Sequence, residues 1–164
     1  MRRGRGDRIA NMELLLTTQS VEETEALARH IGLRLQGGET IELVSDLGGG
    51  KTTFTKGLAQ GIGSHDRVSS PTFTISKVYK GDKLELHHFD FYRLAGDAGL
   101  IGYELQEVMD DPSVVTVVEW GDVVGHVLPE ARIVINITKV GETERELRVR
   151  TPDSLQYVVD GLAG

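Results

Sequence analysis

The chain has no cysteine. Disulfides, iron–sulfur clusters and thiolate metal sites are therefore excluded. No apolar run approaches the roughly 18 residues that a membrane-spanning helix needs. The basic start, MRRGRGDRIANM, has no apolar core behind it and does not read as a secretory signal. The expectation is a soluble, cytoplasmic protein with no membrane contact. Aromatics are scarce, with a single Trp, and histidines number only 5, which argues against a zinc site. Positive charge is also short: the net charge is −7. A protein whose main task is to grip a nucleic-acid backbone usually carries the opposite sign. Arg2, Arg3, Arg5 and Arg8 form a local exception. A solvated, flexible tail over residues 1–11 is the plainer reading, and a weak anionic contact arm the sharper one.

What remains is globular in character. The 164 residues are 39% apolar and 26% charged, enough for one domain, placed at 12–164, with a real core. Met12 to Thr18 reads as a strand. Ser20, with Glu23 three residues on, reads as a capping box opening a helix. That helix would set Val21, Thr24, Leu27, Ala28 and Ile31 on one face and stop at Gly37-Gly38. Thr40 to Val44 reads as a strand and Phe54 to Ile62 as a helix, with Gly61 and Gly63 marking its end. Thr72 to Tyr79 and Leu84 to Phe89 are extended runs joined by a hairpin signal at residues 80–83. Leu100 to Met109 is helical in spacing. Val114 to Val118 (VVTVV) has the composition of a strand buried on both faces. Ala131 to Val140 and Arg145 to Thr151 form a second hairpin, and Ser154 could cap a C-terminal helix. Alternating strands and helices predict an α/β sandwich around a mixed, mainly parallel sheet.

The chemistry concentrates in Ser45-Asp46-Leu47-Gly48-Gly49-Gly50-Lys51-Thr52-Thr53. The phosphate-loop pattern G-x-x-x-x-G-K-[ST] is met at Gly50, Lys51 and Thr52 and missed at Ser45. Successive glycines let backbone N–H groups converge on an anion, and the helix that follows offers its positive end. Lys51 supplies a charge for the β- and γ-phosphates, solvent-facing while the loop is empty, and Thr52 a hydroxyl ligand for Mg²⁺. Ser45 puts a β-carbon where a left-handed backbone would favour glycine.

A phosphoryl site needs acids to hold the metal. Asp90 ends one apolar run and Glu119 another, and strand ends are where an α/β sheet exposes its ligands. Parallel strands would bring both acids and Thr52 to one rim. Asp90 is the preferred metal-side acid. Glu119 either joins it through water or orients the attacking water. Trp120 either packs at the sheet edge or stacks on the base. His88 shares a strand face with Asp90, and a structural role is its simpler assignment. Ser69 to Phe73 reads as a plain turn on composition alone.

Taken in order, DLGGGKTTFTKGLAQGIG, SSPTFTISKVY, HHFDFYRL and VVEWGD resemble the TsaE family of bacterial P-loop ATPases, from about Thr17 to Arg150. The resemblance departs at Ser45, where the family usually has glycine, and at Gly49, where it usually has alanine. It implies a three-layer P-loop NTPase-like α/β fold that binds ATP and Mg²⁺ and hydrolyses ATP weakly alone. It also implies a complex with TsaD and TsaB that makes threonylcarbamoyladenosine in tRNA. The family's lysine and threonine fall on Lys51 and Thr52, its acids on Asp90 and Glu119, and its tryptophan on Trp120. Its switch motif falls on Ser70, Pro71, Thr72 and Phe73. Two alternatives remain on the sequence. One is a small-metabolite kinase, for which Arg93 is the one obvious lid or acceptor arginine. The other is a nucleotide-gated binding module without catalysis.

Overall fold

The computed structural model describes residues 11–46, 48–70, 75–92 and 99–162. The basic stretch 1–10, Leu47, the expected switch residues Pro71, Thr72 and Phe73, and Arg93 lie outside the described residues. The elements run β1 (Asn11–Thr18), α1 (Val21–Arg34), β2 (Thr40–Val44), α2 (Lys51–Gly61), β3 (Ser76–Lys80) and β4 (Glu85–Asp90). They continue with α3 (Gly99–Met109), β5 (Val114–Glu119), a 3₁₀ turn at Gly121–Val124, β6 (Ile133–Lys139), β7 (Arg145–Pro152) and a 3₁₀ segment at Asp153–Val159.

Among the described residues, the strands form one 7-stranded sheet in the order β1-β7-β6-β2-β5-β4-β3. β6, β2, β5 and β4 are mutually parallel in the centre, while β3, β7 and β1 close the edges through antiparallel pairs. Every residue of β5 is buried, as its β-branched run requires in a strand covered on both faces. On one face, Ile41, Leu43, Leu86, Val115, Val117 and Ile135 pack with Ala28 and Ile31 of α1 and Phe54 and Leu58 of α2. On the other, Phe89 and Val118 pack with Leu105 of α3, Val124 and Leu128. The result is the three-layer, P-loop NTPase-like α/β arrangement expected.

The two helices on the first face touch backbone to backbone. A Cβ on Gly61 would lie 2.6 Å from the Cα of Gly32 and 2.6 Å from the carbonyl oxygen of Arg29. Gly61 is thus the final residue of α2 and a packing residue, and the left-handed turn beyond it falls to Gly63 (φ 88°). This contact seats α2, and with it the loop that precedes it, against the sheet.

Several local expectations shift. Asn11 begins β1, opposite Pro152, so the strand reaches one residue into the stretch assigned to the tail. Ser20 does cap α1, accepting from the N–H of Glu23 at 3.1 Å, but the Glu23 carboxylate reaches back to the N–H of Gln19. Val21 is exposed, and the buried face of α1 is Thr24, Ala28, Ile31 and Gly32. The helix ends at Arg34, before the glycine pair, because Leu35 is already extended. β3 starts only at Ser76, since Ile75 sits at φ 63° and cannot continue a strand. Ser154 lies inside the 3₁₀ segment and caps nothing; Pro152 holds the cap position.

Candidate functional site

The loop between β2 and α2 bends through two left-handed glycines, Gly48 (φ 77°) and Gly50 (φ 111°), the second being the N-cap of α2. No acidic side chain belongs to the first turn of α2 itself. Ser45 does not adopt a left-handed backbone, so the expected strain at that position is absent. Its Oγ donates to the carbonyl of Asp46 at 3.0 Å, and that same carbonyl accepts the N–H of Gly49 at 3.0 Å. Asp46 is exposed and holds the loop through its backbone.

The acids arrive from the sheet. In the parallel β4–β5 register, Asp90 stands beside Glu119, and in the β2–β5 register Leu43 stands beside Glu119. The period-2 alternation puts His88 and Asp90 on one face of β4, and Glu119 on the same sheet face of β5. Both acids therefore point at the side where α2 begins. A cleft of about 370 Å³ is lined by Gly48, Gly50, Lys51, Thr52 and Thr53 from the loop, together with Ser70, Asp90 and Glu119. Asp90 is only 6% exposed, and its Oδ1 accepts the N–H of Tyr92 at 3.0 Å.

Lys51 departs from expectation. It is 8% exposed, not solvent-facing. Its Nζ lies 3.5 Å from Glu119 Oε1, donates to the carbonyl of Ser45 at 3.2 Å, and sits 4.9 Å from the centre of the Trp120 ring. The carboxylate of Glu119 is the cause, since a buried acid draws the nearest cation inward. Glu119 is itself 3% exposed, and its second oxygen, Oε2, meets Nε2 of the fully buried His88. Trp120 packs against Tyr92 with ring centres 5.0 Å apart. Its indole thus stands beside the Lys51 end of the cleft.

Backbone strain gathers at the same place. Among the described residues, the non-glycine positions with positive φ are Ile75 (63°) and Trp120 (57°). The carbonyl of Ile75 accepts the N–H of Asp90 at 2.8 Å, and Trp120 directly follows Glu119. A β-branched or bulky residue in this region is a rare and costly conformation. Both acids are therefore flanked by backbone that the surrounding fold holds in place. Nearby, the Tyr79 hydroxyl donates to the carbonyl of Ser69 and accepts its N–H. Burial raises the Tyr79 hydroxyl above its ordinary pKa. The Ser69 contact pulls the other way, and the charges of Glu119 and Asp66 add to the rise.

Of the residues singled out in the sequence, the structure brings Gly48, Gly50, Lys51, Thr52, Thr53, Ser70, Asp90 and Glu119 to one cleft and sets Trp120 at its lysine end. Gly49 is buried beneath the loop, and Asp46 faces solvent. Sequence reasoning missed Arg145. Its Nε donates to the carbonyl of Gly49 at 3.0 Å, and its Nη1 to the carbonyls of Gly141, Glu142 and Glu144. It thereby ties the β6–β7 turn to the glycine-rich loop. The only signal for it was an arginine at the start of a strand beside that turn. Tyr92, the residue Trp120 packs on, was likewise unmarked.

The donor chemistry fits Mg²⁺. Thr52, Asp90 and Glu119 offer hard oxygens on one cleft. Among the described residues, no group of three or more His, Cys, Asp or Glu could cage an ion alone.

Fold and loop together define a P-loop NTPase-like α/β protein. The family model for "Threonylcarbamoyl adenosine biosynthesis protein TsaE" matches residues 18–147. The chain belongs to the TsaE family. It is 40% identical over 135 residues to the tRNA threonylcarbamoyladenosine biosynthesis protein TsaE of Bacillus subtilis, covering 82% of this chain and 84% of that protein. It is 36% identical over 132 residues to the Treponema pallidum protein of the same name, covering 80% of this chain and 96% of the relative. The crystal structure of Bacillus subtilis YdiB superposes with a TM-score of 0.73 at 33% identity, covering 93% of this chain and 95% of that one. No helix among the described residues is long and apolar enough to cross a membrane.

Proposed function

We propose that this chain binds ATP with Mg²⁺, hydrolyses it slowly, and thereby supports threonylcarbamoyladenosine modification of tRNA in a complex with TsaD and TsaB. Family membership supports the pathway. The observation that best supports the chemistry is the single cleft shared by the glycine-rich loop, Lys51, Thr52, Asp90 and Glu119.

In this reading the amides of residues 46–53 and the start of α2 cradle the phosphates. Lys51 exchanges Glu119 for the β- and γ-phosphates. Thr52, Asp90 and Glu119 would hold Mg²⁺, directly or through water. The ion would supply charge neutralisation across the phosphates and polarise the transferred group. Glu119 also orients the attacking water. The water oxygen bonds to the γ-phosphorus as the bond to the β–γ bridging oxygen breaks, and the water's proton passes to a phosphate oxygen and on to solvent, leaving ADP and phosphate. Trp120 contacts the bound nucleotide from the lysine end. Ser70, with Pro71, Thr72 and Phe73, senses the γ-phosphate as a switch. The net charge of −7 favours a tRNA held mainly by the partners.

Hydrolysis assays on the purified chain, alone and with TsaB and TsaD, test this. Weak turnover that the partners stimulate is expected. No ATP hydrolysis even with both partners would overturn the reading.

A further inference from the structure

Glu119 is held from both sides by groups of different kinds. Its Oε1 faces Lys51, on the loop that must rearrange around an incoming anion, at 3.5 Å. Its Oε2 faces Nε2 of His88, on the neighbouring strand β4. The β4–β5 pairing fixes this second partner: His88 stands opposite Val117 and Asp90 opposite Glu119. His88 is fully buried, and among the described residues its Nδ1 has no hydrogen-bond partner. The polar commitment of the imidazole is therefore to Glu119. Nε2 must carry a hydrogen, because a bare Nε2 would set a lone pair against a carboxylate oxygen.

From this geometry we infer that His88 is a positioning residue for the reaction proposed above: it donates through Nε2 to Glu119 and keeps that carboxylate aimed into the cleft when Lys51 leaves it for phosphate. The inference rests on the hydrolysis reading for its kinetic consequence but not for the contact itself. Without His88, Glu119 would lose the sheet partner that holds its Oε2 at the moment its mobile partner departs. A carboxylate free to rotate no longer holds a water in line, and a misplacement of that size is costly in rate.

Reach decides the test. The side-chain amide nitrogen of Gln lies as many bonds from Cβ as Nε2 of His, while that of Asn lies one bond short. His88→Gln should keep kcat within about threefold of the parent, and His88→Asn should lower it about tenfold or more. The KM for ATP should stay within about twofold in both. A histidine that merely filled space would lose kcat and KM without regard to reach. Equal kcat in the two variants, with both folded by circular dichroism, would overturn the inference. The contact is read separately by NMR on the ¹⁵N-labelled chain. A slowly exchanging His88 Nε2–H signal is expected, and it should move in Glu119→Gln. An Nδ1–H signal in place of Nε2–H, or a signal indifferent to Glu119→Gln, would also overturn it. If the parent chain hydrolyses no ATP with its partners, the functional reading fails and the NMR result alone decides the role of His88.

Discussion

Ser45 occupies the space that a side chain at residue 49 would need. A Cβ placed on Gly49 would fall 1.7 Å from Ser45 Oγ and 3.0 Å from the carbonyl oxygen of Asp46. The two positions at which this chain departs from the pattern it resembles therefore adjoin, and the missing side chain at Gly49 makes room for Ser45.

That contact gives a double-mutant prediction. Gly49→Ala should force Ser45 out of its bond to Asp46 and distort the loop, at a cost of about 1–3 kcal/mol in stability. It should also weaken ATP binding. Adding Ser45→Gly should recover much of both losses, because it removes the blocking atom. Urea denaturation and calorimetry on the single and double variants measure the coupling. Additive losses would contradict it.

Lys51 and Glu119 form a nearly buried pair, so Lys51→Ala should do more than weaken nucleotide binding. Removing the lysine leaves the buried Glu119 charge with the His88 donor but no cation, at a cost of about 1–3 kcal/mol. Lys51→Ala combined with Glu119→Gln should be more stable than Lys51→Ala alone. Denaturation midpoints that rank the double variant below the single one would count against this.

Trp120 combines a side chain that contacts Lys51 and Tyr92 with a left-handed backbone. Alanine and glycine at this position both remove the ring. Only glycine relieves the backbone. Trp120→Gly should therefore be the more stable of the two by up to about 1 kcal/mol, after its greater unfolded-state entropy is discounted. Thermal or urea unfolding of the pair tests this, and an alanine variant of higher stability would contradict it.

Far from the cleft, the Tyr157 hydroxyl donates to Glu39 Oε2 at 2.6 Å. Glu39 also accepts the N–H groups of Gln36 and Gly37 at the turn into β2. Burial, then the bond to Glu39 and its charge, push the Tyr157 pKa above its ordinary value. The folded protein thus holds this proton more tightly than the unfolded chain. The stabilisation is complete below about pH 10, the unfolded value, and is lost as pH rises through the folded one. Tyr157→Phe should flatten the fall of stability above that pH. Identical slopes in the parent and the variant would remove Tyr157 as a source.

Much of the architecture was legible because it rests on local pattern. VVTVV announces a strand buried on both faces, and LELHHFD and VVTVVE each end on an acid, which fixes where those acids emerge. The glycine run before Lys51-Thr52 announces the loop. The rest depends on contacts between distant segments, which composition does not encode. Lys51 is buried because Glu119 arrives from another strand. Arg145 reaches the loop only after β7 is in register beside β6. Gly61 looks like a helix stop in the sequence and proves to be a contact with Gly32. The left-handed backbones of Ile75 and Trp120 run against their own propensities, so only the surrounding fold explains them.

The central claim is tested most directly by titration calorimetry of the purified chain with ATP in the presence of Mg²⁺. The account predicts a saturable heat of association that Gly49→Ala diminishes. No heat of association, or binding that Gly49→Ala leaves untouched, would contradict it.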